Sequence, residues 1–352
     1  MKTATETSVD LAAMRRPAAG NPVWRRVKTY QAINIVVVFT VVVAVAIGWS
    51  LVFPEQLRFA TDGNFAILSQ QIPITAIAAI GVGLLMISGE FDISIAGTFT
   101  LVPFIVAITF GEFGWPLIIA LMAGLAVAIA IGLANGLITT RLGIPSFIAT
   151  LGMMFVLRGV IRFVSINPKT NQPDSIAFFL GEPLESILTG HIVGPIYAQI
   201  VWLGVVALIG YLILNRHRFG NHLFASGGNR NAALAVGVPV QRVKITAFVI
   251  CAITAGFAGI LQGARINEIE PSFATISGFE LKAIAAVVVG GVSLFGGRGA
   301  ILGMVLGAVL LDVVDNLLVL ISAPETVFKG FLGAIIIIAV VLNTFIGKRA
   351  RA

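Results

Sequence analysis

Gln31 to Phe53 reads QAINIVVVFTVVVAVAIGWSLVF, 23 consecutive positions without a charge. A helix needs about 20 apolar residues to cross a hydrocarbon core of about 30 Å. In lipid the backbone must satisfy its own hydrogen bonds, so such a run is a helix. It is too long for a signal-peptide core, and no small-residue cleavage site follows it, so it reads as a first retained span.

Further apolar segments follow at about Asn64–Ile87, Ile93–Phe110, Trp115–Thr140, Ser146–Ser165, Tyr197–Leu214, Ile245–Ala264, Ile276–Leu294, Ala300–Ile321 and Val327–Ile346. The expectation is therefore an all-α membrane protein of about ten transmembrane helices. Arg158 and Arg162 interrupt the fifth segment on one helical face. They read as snorkelling to the interface or as a docking point for a partner.

Composition agrees. The 352 residues are 58% hydrophobic and 11% charged, against about 25% charged in an ordinary soluble domain. A soluble fold would leave far too much apolar surface in water. The lone cysteine, Cys251, excludes an internal disulfide and a cysteine-based zinc site. His191, His217 and His222 have no metal-ligand spacing, so no metal is expected.

The net charge of +7 is distributed as membrane orientation requires, not as a nucleic-acid surface. With both termini cytoplasmic and ten alternating spans, 16 of the 23 lysines and arginines lie inside, among them Arg15, Arg16, Arg25, Arg26 and Lys28. Only 7 lie outside, in keeping with the positive-inside rule. The organisation expected is a basic cytoplasmic segment over 1–30, a membrane domain over 31–346 and a cytoplasmic tail over 347–352. The main outside connection is 166–196 and the main inside one 215–244.

Two segments echo each other. Ala76-Ile-Ala-Ala79 with Gly83 and Gly89 is matched by Ala283-Ile-Ala-Ala286 with Gly290 and Gly296. Internal repeats are common in transporters, although small-residue helices also coincide by chance. GxxxG spacing at Gly132/Gly136, Gly259/Gly263 and Gly303/Gly307 reads as helix contact faces.

No P-loop, HExxH or GxSxG occurs. No catalysis and no bound cofactor are expected of this chain, so energy for active transport comes from a partner or an ion gradient. Charge within the spans is costly and therefore informative. Ser88-Gly-Glu-Phe-Asp-Ile-Ser94 either caps the third helix through Asp92 or Ser94, or breaks the chain near a pathway that Glu90 and Asp92 line. Asp312 and Asp315 share a face of the ninth segment and are either neutralised, by a proton or a lysine, or line a cavity. Asn135 suits an interhelical hydrogen bond. In the inside loop, Asn231–Val236 is a short helix-forming run with Gly237 as its C-cap.

Four ordered blocks carry a resemblance. They are Ser88-Gly-Glu-Phe-Asp-Ile-Ser-Ile-Ala-Gly97, Gly136–Gly152 ending in Leu157-Arg-Gly159, Gly227-Gly-Asn-Arg-Asn-Ala-Ala233, and Ala283–Gly299. The chain resembles the membrane permeases of ribose-type carbohydrate importers of the ATP-binding cassette class, over about residues 30–346. The resemblance implies a type II importer-like bundle in the bacterial inner membrane, surrounded by lipid. A second permease copy, identical or not, would complete one pathway. A cytoplasmic ATPase would bind ATP and Mg, and a periplasmic binding protein would deliver a sugar or polyol. Gly227, Gly228, Asn229, Arg230, Asn231, Ala232, Ala233, Val236 and Gly237 would form the coupling element on the ATPase. Glu90, Asp92, Ser94, Asn135, Phe147, Asp312 and Asp315 are the candidate pathway residues. The family often has Gly at Glu90 and uncharged residues at Asp312 and Asp315. A permease for branched-chain amino acids and an ion-driven carrier are the rival readings.

Overall fold

Each apolar run of the sequence carries a helix in the computed structural model, which describes residues 37, 39–53, 55, 57–167, 170–273, 278–324, 326–335 and 337. Seven helices are long and apolar enough to cross a membrane among these residues. They are α2 (Asp62–Ile87), α3 (Ile95–Ala107, continued by a π turn over Ile108–Glu112), α4 (Leu117–Arg141), α5 (Ser146–Val164), α7 (Ala198–Asn215), α10 (Val240–Ile266) and α12 (Ile301–Leu320). Between them lie the short α6 (Leu184–Thr189), α8 (Arg218–Gly228) and α9 (Arg230–Ala235).

The other three apolar segments form shorter helices: α1 (Phe39–Val52), α11 (Phe279–Val289) and α13 (Thr326–Ile335). The first and last adjoin residues outside the described set, as do the N-terminal segment and the tail. The 11 residues of α11 span only about 16 Å at 1.5 Å per residue. Its apolar run ends at Gly290–Gly291, and a glycine-rich loop to Gly299 replaces the rest of a full-length helix. Despite its two arginines, α5 is one continuous helix of 19 residues.

The spans are apolar on every side, so burial depends on position in the bundle. α2 from Pro73 onward and nearly all of α3 and α11 are buried, whereas α4, α5 and α7 turn broad apolar faces outward. The long α10 packs on α2, α3 and α4. Each GxxxG pair lies at a contact. Gly132 and Gly136 of α4 meet the α10 backbone at Val249 and Ile245, Gly259 of α10 meets the Phe99 carbonyl of α3, and Gly263 meets Phe178. In the α11–α12 hairpin, Gly303 faces Gly290 and Gly307 faces Ala286. Without side chains, backbones approach closely enough for dispersion to hold them, which matters where lipid supplies no hydrophobic drive.

Successive helices bring two groups of loops to opposite ends. At one end, 166–196 folds into β1 (Ile176–Ala177), α6, β2 (His191–Val193) and β3 (Ile196–Tyr197). There β1 pairs antiparallel with β4 (Glu268–Ile269) beyond α10, with Ile176 opposite Ile269. At the other end the last turn of α8, at Gly227 and Gly228, lies against Ile87, Gly89 and Gly297, and α9 follows it.

Candidate coupling face and buried polar sites

The loop between α7 and α10 holds two helices where the sequence suggested one. His217 Nδ1 accepts from the Phe219 N–H at 3.1 Å and starts α8. Asn229 ends α8 and caps α9, its Oδ1 accepting the Ala232 N–H at 3.0 Å. A short polar side chain at this position satisfies one of the orphan donors of the first turn. Beyond Val236, Gly237 has φ +82°, and its N–H donates to Leu234 O at 3.0 Å. Such a left-handed residue after the last helical turn favours glycine. The result is a stub on which Asn229, Arg230, Asn231, Val236 and Gly237 are exposed while Ala233 is buried against the bundle.

Beside the stub, the Glu90 carboxylate and the Lys244 ammonium form an ion pair. They line a cavity of about 360 Å³ with Arg230, Gln241, Thr139 and Thr140. Glu90 thus lies at the same end as α8 and α9. Its partner, 154 positions away, carries no local sequence signal.

The loop that follows α2 turns back into the bundle. Asp92 is buried, and its Oδ1 accepts from both the backbone N–H and the hydroxyl of Ser94, at 2.7 and 2.6 Å. Asn135 Nδ2, on α4, donates to Asp92 Oδ2 at 3.2 Å and to Ser94 Oγ at 2.9 Å. Two hydroxyls from α5 take the remaining loop donors. Ser146 Oγ accepts from the Phe91 N–H at 3.1 Å and Thr150 Oγ1 from the Ile93 N–H at 3.2 Å. Irregular backbone at this depth is tolerated only where protein supplies such partners. Ser94 occupies the N-cap position of α3 without a side-chain cap bond; its hydroxyl donates to Asp92 and accepts from Asn135.

A second polar cluster joins α2, α11 and α12. Lys282 Nζ lies 2.7 Å from Asp312 Oδ1 and 2.6 Å from Asp315 Oδ2. Thr75 Oγ1 of α2 donates to Asp312 Oδ1 at 3.2 Å. The ammonium also lies 5.2 Å from the centre of the Phe328 ring. Asn316 Nδ2 donates to Asn64 Oδ1 at 2.8 Å. Asp312 is fully buried and Asp315 only partly.

The candidate pathway residues therefore fall into separate groups. Asp92, Ser94 and Asn135 are one network. Asp312 and Asp315 are another, organised by Lys282, which the sequence did not single out. Phe147 stands alone on the exposed face of α5. At the opposite end, Arg158 and Arg162 line an open cavity of about 800 Å³ with Ser175, Glu268, Glu270 and Ser272, and Arg158 Nη2 is 4.0 Å from Glu280 Oε1. No group of three or more potential metal ligands occurs among the described residues.

Comparison with known proteins gives consistent matches. Residues 64–340 match a family model described as branched-chain amino acid transport system / permease component. The ribose import permease protein RbsC of Escherichia coli (strain K12) is 32% identical over 291 residues, covering 81% of this chain and 86% of the relative. The L-arabinose ABC transporter permease protein AraH of Azospirillum brasilense is 32% identical over 341 residues, 95% of each chain. The xylose/arabinose import permease protein XylH of Sulfolobus acidocaldarius is 31% identical over 303 residues, 84% of this chain and 81% of the relative. No solved structure matches.

Proposed function

The chain belongs to the family described as branched-chain amino acid transport system / permease component, and from that premise we propose that it is the membrane permease of an ATP-binding cassette importer for a sugar. The observation that carries the reading is similarity to three pentose-importer permeases along more than four-fifths of both partners. The family description names amino acids, but these individual relatives are named for ribose, arabinose and xylose. The sugar reading therefore stands ahead of the amino-acid one. The chain is a multi-pass inner-membrane transport subunit, not an enzyme, and it works with an ATPase and a substrate-binding protein.

The finer reading follows the physics. Seven long helices and three shorter apolar ones make a type II importer-like bundle of about ten segments within 31–346, with 1–30 and 347–352 in the cytoplasm. The basic end carrying α8, α9 and Arg230 then faces the ATPase, which holds ATP and Mg. The Arg158 end with the 166–196 folds faces the binding protein. A second copy, identical or related, covers the apolar face of α5 around Phe147, Phe155 and Phe163, all exposed here. Lipid covers the outer faces of α4 and α7.

Gly227 to Gly237 is the coupling element. ATP-driven movement there shifts the population between outward- and inward-open states. Asp92, Ser94 and Asn135 hold the buried loop that starts α3, and Phe147 lies toward the pathway. Glu90, Asp312 and Asp315 act through their lysine partners.

The test is reconstitution with the ATPase and binding protein in proteoliposomes. ATP-dependent uptake is measured across ribose, xylose, arabinose, polyols and branched-chain amino acids. Uptake of a pentose with stimulated ATP hydrolysis supports the reading. Uptake of leucine or valine alone, or uptake driven by an ion gradient without the ATPase, refutes it.

A further inference from the structure

Three stretches of bare backbone converge at the coupling end. Gly227, two residues before the Asn229 cap of α9, lies so close to Ile87 that a Cβ on it would overlap the Ile87 carbonyl oxygen and stand 2.8 Å from Gly297 N. The Gly297 N–H donates to the same Ile87 oxygen at 2.8 Å. A Cβ on Gly296 would lie 2.9 Å from both Gly227 O and Gly89 Cα. The end of α2, the loop between α11 and α12 and the last turn of α8 are thus packed main chain on main chain.

Taking the importer reading as its basis, we propose that Gly227 is a positioning residue that transmits the ATPase stroke from α9 into α2, α11 and α12 as one body. Contact between main chains leaves no side chain to change rotamer and absorb the displacement, so movement of α9, joined to α8 at Asn229, passes through Gly227 to Ile87 and Gly297. The same three helices are cross-tied deeper in the bundle by Thr75, Lys282, Asp312 and Asp315. The loop Phe91–Ser94 is instead tied to α4 and α5 through Asn135, Ser146 and Thr150. The stroke therefore reaches one helix group first and moves it against the other.

A glycine outside the coupling element supplies the control. Nothing lies within 4 Å of a Cβ on Gly204 of α7, so alanine fits there. In proteoliposomes with the ATPase and binding protein, ATP hydrolysis and pentose uptake are measured together for Gly227→Ala and Gly204→Ala. Gly227→Ala is expected to hydrolyse ATP while uptake per ATP falls at least about fivefold, the low end of ordinary coupling between sites. Gly204→Ala is expected to keep the parental ratio. A parental ratio in Gly227→Ala, including equal losses of hydrolysis and uptake, overturns the proposal.

Hydrogen exchange on the unmutated complex answers the question even if Gly227→Ala does not assemble. On trapping ATP, residues 84–90 and 290–299 are expected to change protection together with 218–237. A change confined to 218–237 overturns the proposal. An unmutated chain that neither binds the ATPase nor takes up sugar refutes the importer reading, and this inference with it.

Discussion

Gly89 and Gly296 touch: a Cβ on Gly296 would stand 2.9 Å from both the Cα and the N of Gly89. They hold equivalent places in the two echoing segments, each following its Ala-Ile-Ala-Ala run at the same distance. The two glycine-rich breaks are thus halves of one joint. Whatever the origin of the echo, the fold brings its two ends together.

Gly296 has φ +78° and is crowded by main chain on two sides. Gly296→Ala is expected to lose about 1–3 kcal/mol from left-handed strain and crowding. Gly204→Ala, on α7 with open space around it, is expected to change stability little or to raise it slightly, since alanine favours helix. Thermal unfolding of the two variants in the same detergent compares them directly.

Lys282 is the only base within ion-pair distance of Asp312 among the described residues. Removing one partner of a buried pair typically costs about 3–5 kcal/mol, because the other charge stays buried. Lys282→Met is therefore expected to accumulate poorly in membranes. The triple variant Lys282→Met, Asp312→Asn, Asp315→Asn is expected to recover most of the loss. If the triple variant also takes up the same sugars at the parental rate, the two aspartates have no part in selectivity.

Asp92 accepts three hydrogen bonds and Asn135 donates two within one buried network. Asp92→Ala removes the acceptor of the Ser94 N–H, of the Ser94 hydroxyl and of one Asn135 N–H, at about 1–3 kcal/mol for each group left unsatisfied. Asp92→Asn keeps an acceptor for Ser94 and is expected to cost less than half as much. Equal melting temperatures for the two variants would mean that the loop finds other partners.

The Glu90–Lys244 pair is mostly shielded from solvent. Glu90→Gln and Lys244→Gln are each expected to lower ATP-driven uptake, whereas the exchange Glu90→Lys with Lys244→Glu restores part of it. A double-mutant cycle reads the coupling directly. Independent, additive effects would show that the contact does not matter to function.

Much of this was legible in the sequence for a simple reason. A helix in lipid must be long and uncharged, and that requirement leaves its mark residue by residue in runs such as 117–140. The three GxxxG pairs were legible too, because close approach needs glycine on both sides of a turn. Partners were not legible. Lys282 lies 30 and 33 positions from its two aspartates, on a helix apolar all round, and no periodicity says which faces meet. The early end of α11 was missed as well: the expected span ran on to Leu294, because Val292 and Leu294 are apolar again beyond the glycines at which the helix stops. The extra helix α8 was masked by a polar stretch that resembles an ordinary connection.

The glycine contacts that α10 makes with α4 at Gly132 and with α3 at Gly259 have a mechanical consequence. Side chains interlocked across a helix pair behave like gear teeth: a shift must lift one out of its slot and drop it into the next. Two stretches of naked main chain have no teeth. They form a plain bearing, tight across the gap yet smooth along it, on which a helix slides by a fraction of an ångström without climbing a barrier at every step.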